Sequence, residues 1–298
     1  MNYLIAVIFQ PGFFVSGPVH TAMIIGGGAA IVSAWIGVFT IIRGQSFAGH
    51  ALADVSSAGG AASFLLGINP MFGFLGMAVL AASAMEFLGV SRARERDLVT
   101  GIVLGAGLGL TALLLYFDVT TRSTTGAATS VMFGSMFAIP ASIIPAVLII
   151  ALAVVLLVAA IYRPLLLSSL DSTLAEVQGI NVRLIGLLHL LMLSLAVTLS
   201  AMTIGAILST ALLIGPAAAA LRLAKRPGVA ICLAALIGVG ATWGGILLAY
   251  DSYNWTPGHG WPVSFFIVTI IFAVYLLAGL PGRRGRLGIP TTNRLMST

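Results

Sequence analysis

Nine segments of this chain, 18–41, 47–67, 71–90, 98–117, 141–162, 184–200, 202–222, 228–249 and 262–280, stay apolar for about as long as a helix needs to cross a bilayer. A hydrocarbon core of about 30 Å takes roughly 20 residues at about 1.5 Å rise each, and inside it backbone amides need partners within the protein. With 59% hydrophobic and 7% charged residues among 298, and a mean hydropathy of +1.12, little polar material remains for an aqueous domain. The expected fold is an all-α polytopic membrane protein of eight or nine transmembrane helices, a single transmembrane domain over 1–298. The count turns on 184–222, which reads either as a tight hairpin or as one long bent helix. Residues 3–16 are too short and too broken by Pro11 and Gly12 to span. The stretch 1–17 is therefore expected to be interfacial, and its lack of a basic n-region argues against a cleaved secretory signal. Residues 281–298 form a basic tail.

A net charge of +6 would suit nucleic acid, but the cations lie in short loops between spans, where they set orientation instead. No nucleic-acid partner is expected. Placing the C-terminus in the cytoplasm puts Arg43, Arg92, Arg94, Arg96, Arg163, Arg183, Arg222, Lys225, Arg226, Arg283, Arg284, Arg286 and Arg294 inside and only Arg122 outside. Nine spans then leave the N-terminus outside. The segment 250–261 carries Tyr250, Tyr253, Trp255 and Trp261, rings that settle at a headgroup interface, and is expected to face outward. Gly101, Gly105 and Gly109 recur every fourth residue, a spacing that lets helix backbones approach closely. The single Cys232 excludes an intramolecular disulfide and reads as core filler.

Chemistry is confined to a few side chains. Most acidic residues fall in loops or at span ends. Asp54 does not: it lies about 16 Å along its helix from Arg43, near the middle of the bilayer. An isolated carboxylate there costs about 2.5–3.5 kcal/mol on insertion scales, so it needs a partner. His50 is four residues away on the same helical face. The pair reads either as a hydrogen bond that satisfies both groups or as part of a metal site, since imidazole nitrogen with carboxylate oxygen suits zinc, manganese or iron. Two ligands hold a divalent ion weakly; two copies about a nearby dimer axis would supply four. His189 reads as lining an inner vestibule or as a core histidine bonded to a carbonyl. His20 and His259 sit near the outer face, as metal receivers or as solvated loop residues. A P-loop is absent, because Lys225, the chain's one lysine, lies between Ala224 and Arg226. Any ATP hydrolysis would belong to a partner, and the chain itself is not expected to be an enzyme.

Four stretches, together covering most of 35–225, carry a resemblance to a known family: RGQSFAGHALADVSSAGGA at 43–61, DLVTGIVLGAGLGL at 97–110, FGSMFAI at 133–139, and DSTLAEVQGINVRLIGLL at 171–188 followed by GAILSTALLIGPAAAALRL at 205–223. They resemble the membrane permease subunits of bacterial ABC importers for zinc, manganese and iron, the ABC-3 family with the type II importer fold. The family places the acid first and the histidine four residues later, whereas here His50 precedes Asp54. The swap keeps the pair and its spacing while altering its geometry. The resemblance implies a homodimer in the bacterial inner membrane, surrounded by lipid, with two cytoplasmic ATP-binding subunits and a metal-binding protein docked outside. It implies no permanently bound cofactor, only a transported zinc or manganese ion. It makes Asp171, Glu176 and Gly179 in one cytoplasmic loop, and Arg222, Lys225 and Arg226 in the next, candidates to touch the ATPase. Set against this are an ion-coupled secondary transporter working through Asp54, a permease of the same fold for a metal chelate, and an intramembrane metalloenzyme. The last lacks a His-Glu-x-x-His pair.

Overall fold

A computed structural model describes residues 12–88, 96–122, 126–255 and 260–280. All regular structure among them is helical. The helices are α1 (Gly17–Ile42), α2 (Ser46–Leu66), α3 (Pro70–Leu88), α4 (Arg96–Phe117), α5 (Ala127–Phe133), α6 (Ile144–Ala160), α7 (Tyr162–Leu170), α8 (Ser172–Val177), α9 (Val182–Ile204), α10 (Ala206–Leu223), α11 (Pro227–Asp251) and α12 (Val263–Ala278). Each of the nine expected segments coincides with one of the longer helices. Seven helices of the described residues are long and apolar enough to cross a membrane. Two of the nine fall outside that set for opposite reasons: α2 has 21 residues but carries His50, Asp54 and a run of Ser and Gly, whereas α12 is apolar but has only 16.

Helix direction follows from which residues meet. Thr40 reaches His189 and Ser33 reaches Ser200, so α1 and α9 are antiparallel. Arg43 donates to Ser168 and Ser169, and Tyr162 packs edge-on against Phe39, which brings α7 to the end of α1. Arg222 bonds the Tyr275 hydroxyl and lies over its ring, 3.8 Å from the centroid. Arg43, Arg183, Arg222 and Arg226 thereby collect at one end of the bundle, called here the basic end. The far end holds the starts of α1 and α12, the end of α11 and an aromatic group of Trp255, Trp261, Phe265 and Phe266. Phe13 is buried there against Tyr250, while residues 1–11 of the expected interfacial segment 1–17, and the tail 281–298, lie outside the described residues.

The stretch 184–222 is a tight hairpin. Leu193 and Leu213 both lie within 4 Å of a Cβ placed on Gly49, so the two arms run back alongside each other. The arms meet at Gly205, whose φ of +87° favours glycine, and the facing Gly134 has φ +77°. Side chains at either position would overlap the other's backbone. Close approach recurs where α2 crosses α3: a Cβ on Gly59 would overlap the Gly73 carbonyl, and a Cβ on Gly73 the Gly59 carbonyl.

Two expectations are corrected. Cys232 is exposed on α11 rather than in the core. Gly101, Gly105 and Gly109 meet nothing within 4 Å, and it is Gly107, on the opposite face, that packs, with a Cβ there falling 2.9 Å from Val55 Cα. The fourth-residue spacing was sound, but hydropathy does not say which face of an apolar helix turns inward.

Candidate metal site

Helix α2 is walled in by α3, α4 and α10, which bury fourteen of its residues, Asp54 among them. Asp54 lies about 12 Å from the start of α2 and about 18 Å from its end, so the helix holds it at mid-depth. His50 lies one turn nearer the basic end. Its Nε2 is 3.6 Å from Asp54 Oδ2, and its Nδ1 is 3.0 Å from the Thr210 hydroxyl on α10. The Asp54 side chain is 6% exposed and that of His50 is 39% exposed, so the pair runs from the packed interior to the protomer surface.

The 3.6 Å contact lies in the range of an ion pair, and Oδ2 has no hydrogen-bond partner. Two donors each about 2.1 Å from one tetrahedral ion would stand about 3.4 Å apart, so the spacing is compatible with both readings of the pair. Thr210 flanks the pair: its hydroxyl lies 3.0 Å from His50 Nδ1, and in the tautomer with the proton on Nδ1 the Nε2 lone pair would be free to meet an ion. Thr210 could have been suspected only by pairing the two helices, because nothing in the local sequence marks it. On the other flank, Thr111 of α4 lies 3.2 Å from the Asp54 carbonyl oxygen and 2.9 Å from the Ser57 hydroxyl.

The remaining histidines do not join this pair. His189 is fully buried on α9 with Nε2 3.5 Å from Thr40 Oγ1, a core histidine bonded to a hydroxyl rather than to a carbonyl. His20 is exposed at the far end of α1, beside a cavity of about 470 Å³ lined by Val19, Phe137, Tyr250, Tyr253 and Trp261. His259 lies outside the described residues. Among the described residues, no group of three or more His, Cys, Asp or Glu is placed so that it could hold a metal ion.

At the basic end the loop 163–183 is largely helical. Asp171 caps α8 by accepting from the Leu174 amide, and Asn181 caps α9 by accepting from the Leu184 amide. Gly179, at φ +76°, ends α8 with Ile180 N–H bonded to the Ala175 carbonyl. Ala175 is buried as the foot of this knuckle, while Glu176, Leu170, Leu174 and Val177 stand exposed. Arg222, Lys225 and Arg226 are all exposed around the turn between α10 and α11, and Arg222 is tethered to Tyr275.

A multi-pass helical membrane protein with a His and Asp pair at mid-depth is the class that fold and site define. The ABC 3 transport family model matches residues 18–279, and the chain belongs to that family. The chain is 32% identical over 276 residues to the manganese transport system membrane protein MntC of Listeria innocua, covering 93% of this chain and 96% of that one. It is 26% identical to the high-affinity zinc uptake system membrane protein ZnuB of Haemophilus influenzae over 78% of this chain and 88% of that one. Its fold is similar to a solved structure described as PsaBC from Streptococcus pneumoniae in complex with Fab, with a TM-score of 0.78 at 26% identity over 93% of this chain and 96% of that one.

Proposed function

We propose that this chain is the permease subunit of an ATP-binding-cassette importer that carries a divalent transition metal ion, manganese or zinc and less readily iron, into the bacterial cytoplasm. The observation that carries the reading is the His50 and Asp54 pair, with its unpartnered Oδ2 and its 3.6 Å gap at mid-depth in a family of transport permeases. The chain works as a homodimer of nine-span protomers with the type II importer architecture, in the inner membrane. Each protomer contributes one imidazole and one carboxylate, and the exposed edge of His50 allows two pairs to meet. The knuckle around Asp171, Glu176 and Gly179, with Lys225 and Arg226 beside it, is the surface for a separate ATP-hydrolysing subunit. Arg222 serves that surface less directly, through its hold on Tyr275. A metal-binding protein docks at the far end, near His20. Ligation in transit is loose enough to release the ion inward.

The test is uptake of manganese, zinc and iron by proteoliposomes holding this chain with its ATPase and binding protein. Uptake that needs ATP and follows one metal supports the reading and names the cargo. Uptake that persists without ATP on a proton or sodium gradient would make the chain a secondary transporter. Uptake of a metal chelate alone would leave the pair without a role as ligands. One further outcome follows from the site. Thr210→Val keeps the side-chain volume but removes the hydroxyl that orients His50, and is expected to weaken apparent metal affinity in the uptake assay about tenfold, with assembly intact.

A further inference from the structure

We propose that Asp118 is a second cation-binding carboxylate on the transport path, placed between Asp54 and the far end of the bundle; the proposal rests on the metal-transport reading above. Asp118 has no solvent exposure, and neither of its carboxylate oxygens has a hydrogen-bond partner. No Lys, Arg or His among the described residues pairs with it. A buried carboxylate left so bare is unfavourable unless something positive meets it, which makes it a functional group by default within a membrane.

Its position ties it to the site already described. Asp118 follows Thr111 by seven residues, two turns of helix, so it lies on the same face of α4 and about 10 Å nearer the far end. That face is the one turned to α2: Gly107 packs on Val55, and Thr111 reaches the Asp54 carbonyl and the Ser57 hydroxyl. Leu115, between Thr111 and Asp118, is buried in a small apolar cluster with Ala61, Phe74, Val131 and Ala201. On the packed seam between α2 and α4, Asp118 thus lies in line with Asp54, the Thr111 and Ser57 hydroxyls and the buried Leu115. Helix α4 ends at Phe117, directly before it, and Asp118 opens a π-helical turn, Asp118–Arg122. The C-terminal carbonyls of α4 add negative potential there, and single π turns recur at functional positions. One carboxylate with water completing the shell suits a divalent ion in passage, and an all-oxygen site favours manganese over softer metals.

The test uses the full transporter, reconstituted with its partners in a Cys232→Ser background, and compares Asp118→Asn, Asp118→Glu, Asp118→Cys and Asp54→Asn for radioactive manganese uptake and its inhibition by cadmium. Asp118→Asn is expected to lose about tenfold or more in uptake and Asp118→Glu to keep most of it. Asp118→Cys is expected to become about tenfold more sensitive to cadmium, because thiolate selects soft cations. A structural carboxylate would not move cadmium sensitivity, so an unchanged response in the Cys variant overturns the proposal even if the Asn variant assembles poorly. Normal uptake by Asp118→Asn beside an inactive Asp54→Asn overturns it too. Normal uptake by both would instead overturn the metal-pair reading on which it rests.

Discussion

Asp54→Asn and His50→Ala are each expected to lower manganese or zinc uptake by at least about a hundredfold while the assembled complex remains intact. On the proposed reading, a two-copy site built from these two side chains loses two of its four donors with either substitution. Asparagine keeps the volume of Asp54 but removes the charge that a divalent ion meets at mid-depth. Alanine at position 50 also leaves Thr210 without the imidazole it orients. Loss of an outer-shell partner alone costs roughly 10–100-fold in metal affinity or activity, so loss of a direct donor should exceed that range. The measurement is uptake in proteoliposomes with ATPase activity recorded in parallel. If both variants transport at the wild-type rate, the pair holds the fold together and has no part in the ion's route.

Gly59→Val is expected to cost about 3 kcal/mol or more and to abolish accumulation of folded protein. Even a Cβ at this position would overlap the Gly73 carbonyl, and the interference is with backbone, which cannot rotate aside. Separating α2 from α3 would also loosen the helix that carries Asp54. Gly240→Ala, where nothing lies within 4 Å, is the matched control and should change stability by no more than about 1 kcal/mol. Thermal unfolding in detergent reads both; equal melting of the two variants would mean that α2 and α3 do not rely on this contact.

The long helices were legible because hydropathy at 20-residue length reports the solvent, and a bilayer leaves few alternatives. Position 54 was legible for a related reason, since a carboxylate inside an apolar segment contradicts its surroundings. The rest depended on contacts distant in sequence. Thr210 is an unremarkable hydroxyl until α10 is laid beside α2, and Asp118 reads as a span-end residue until its burial is seen. The hairpin in 184–222 was undecidable from hydropathy, because its hinge is a single glycine and both arms are equally apolar. The short α7 and α8 were missed for want of length: their ends are fixed by Asp171, Gly179 and Asn181, signals that a search for spans passes over.

The mixed character of α2 bears on how the protein is made. The helix with the mid-depth acid is the one that would be least content alone in lipid, yet it leaves the ribosome before the three helices that shield it, α3, α4 and α10. Its lodging in the bilayer is provisional until Gly73 of α3 and Gly107 of α4 have followed and closed over it. Insertion is therefore expected to be cooperative around the same helix that carries the proposed metal pair, and a change that makes α2 more polar is expected to show first as a failure of membrane integration.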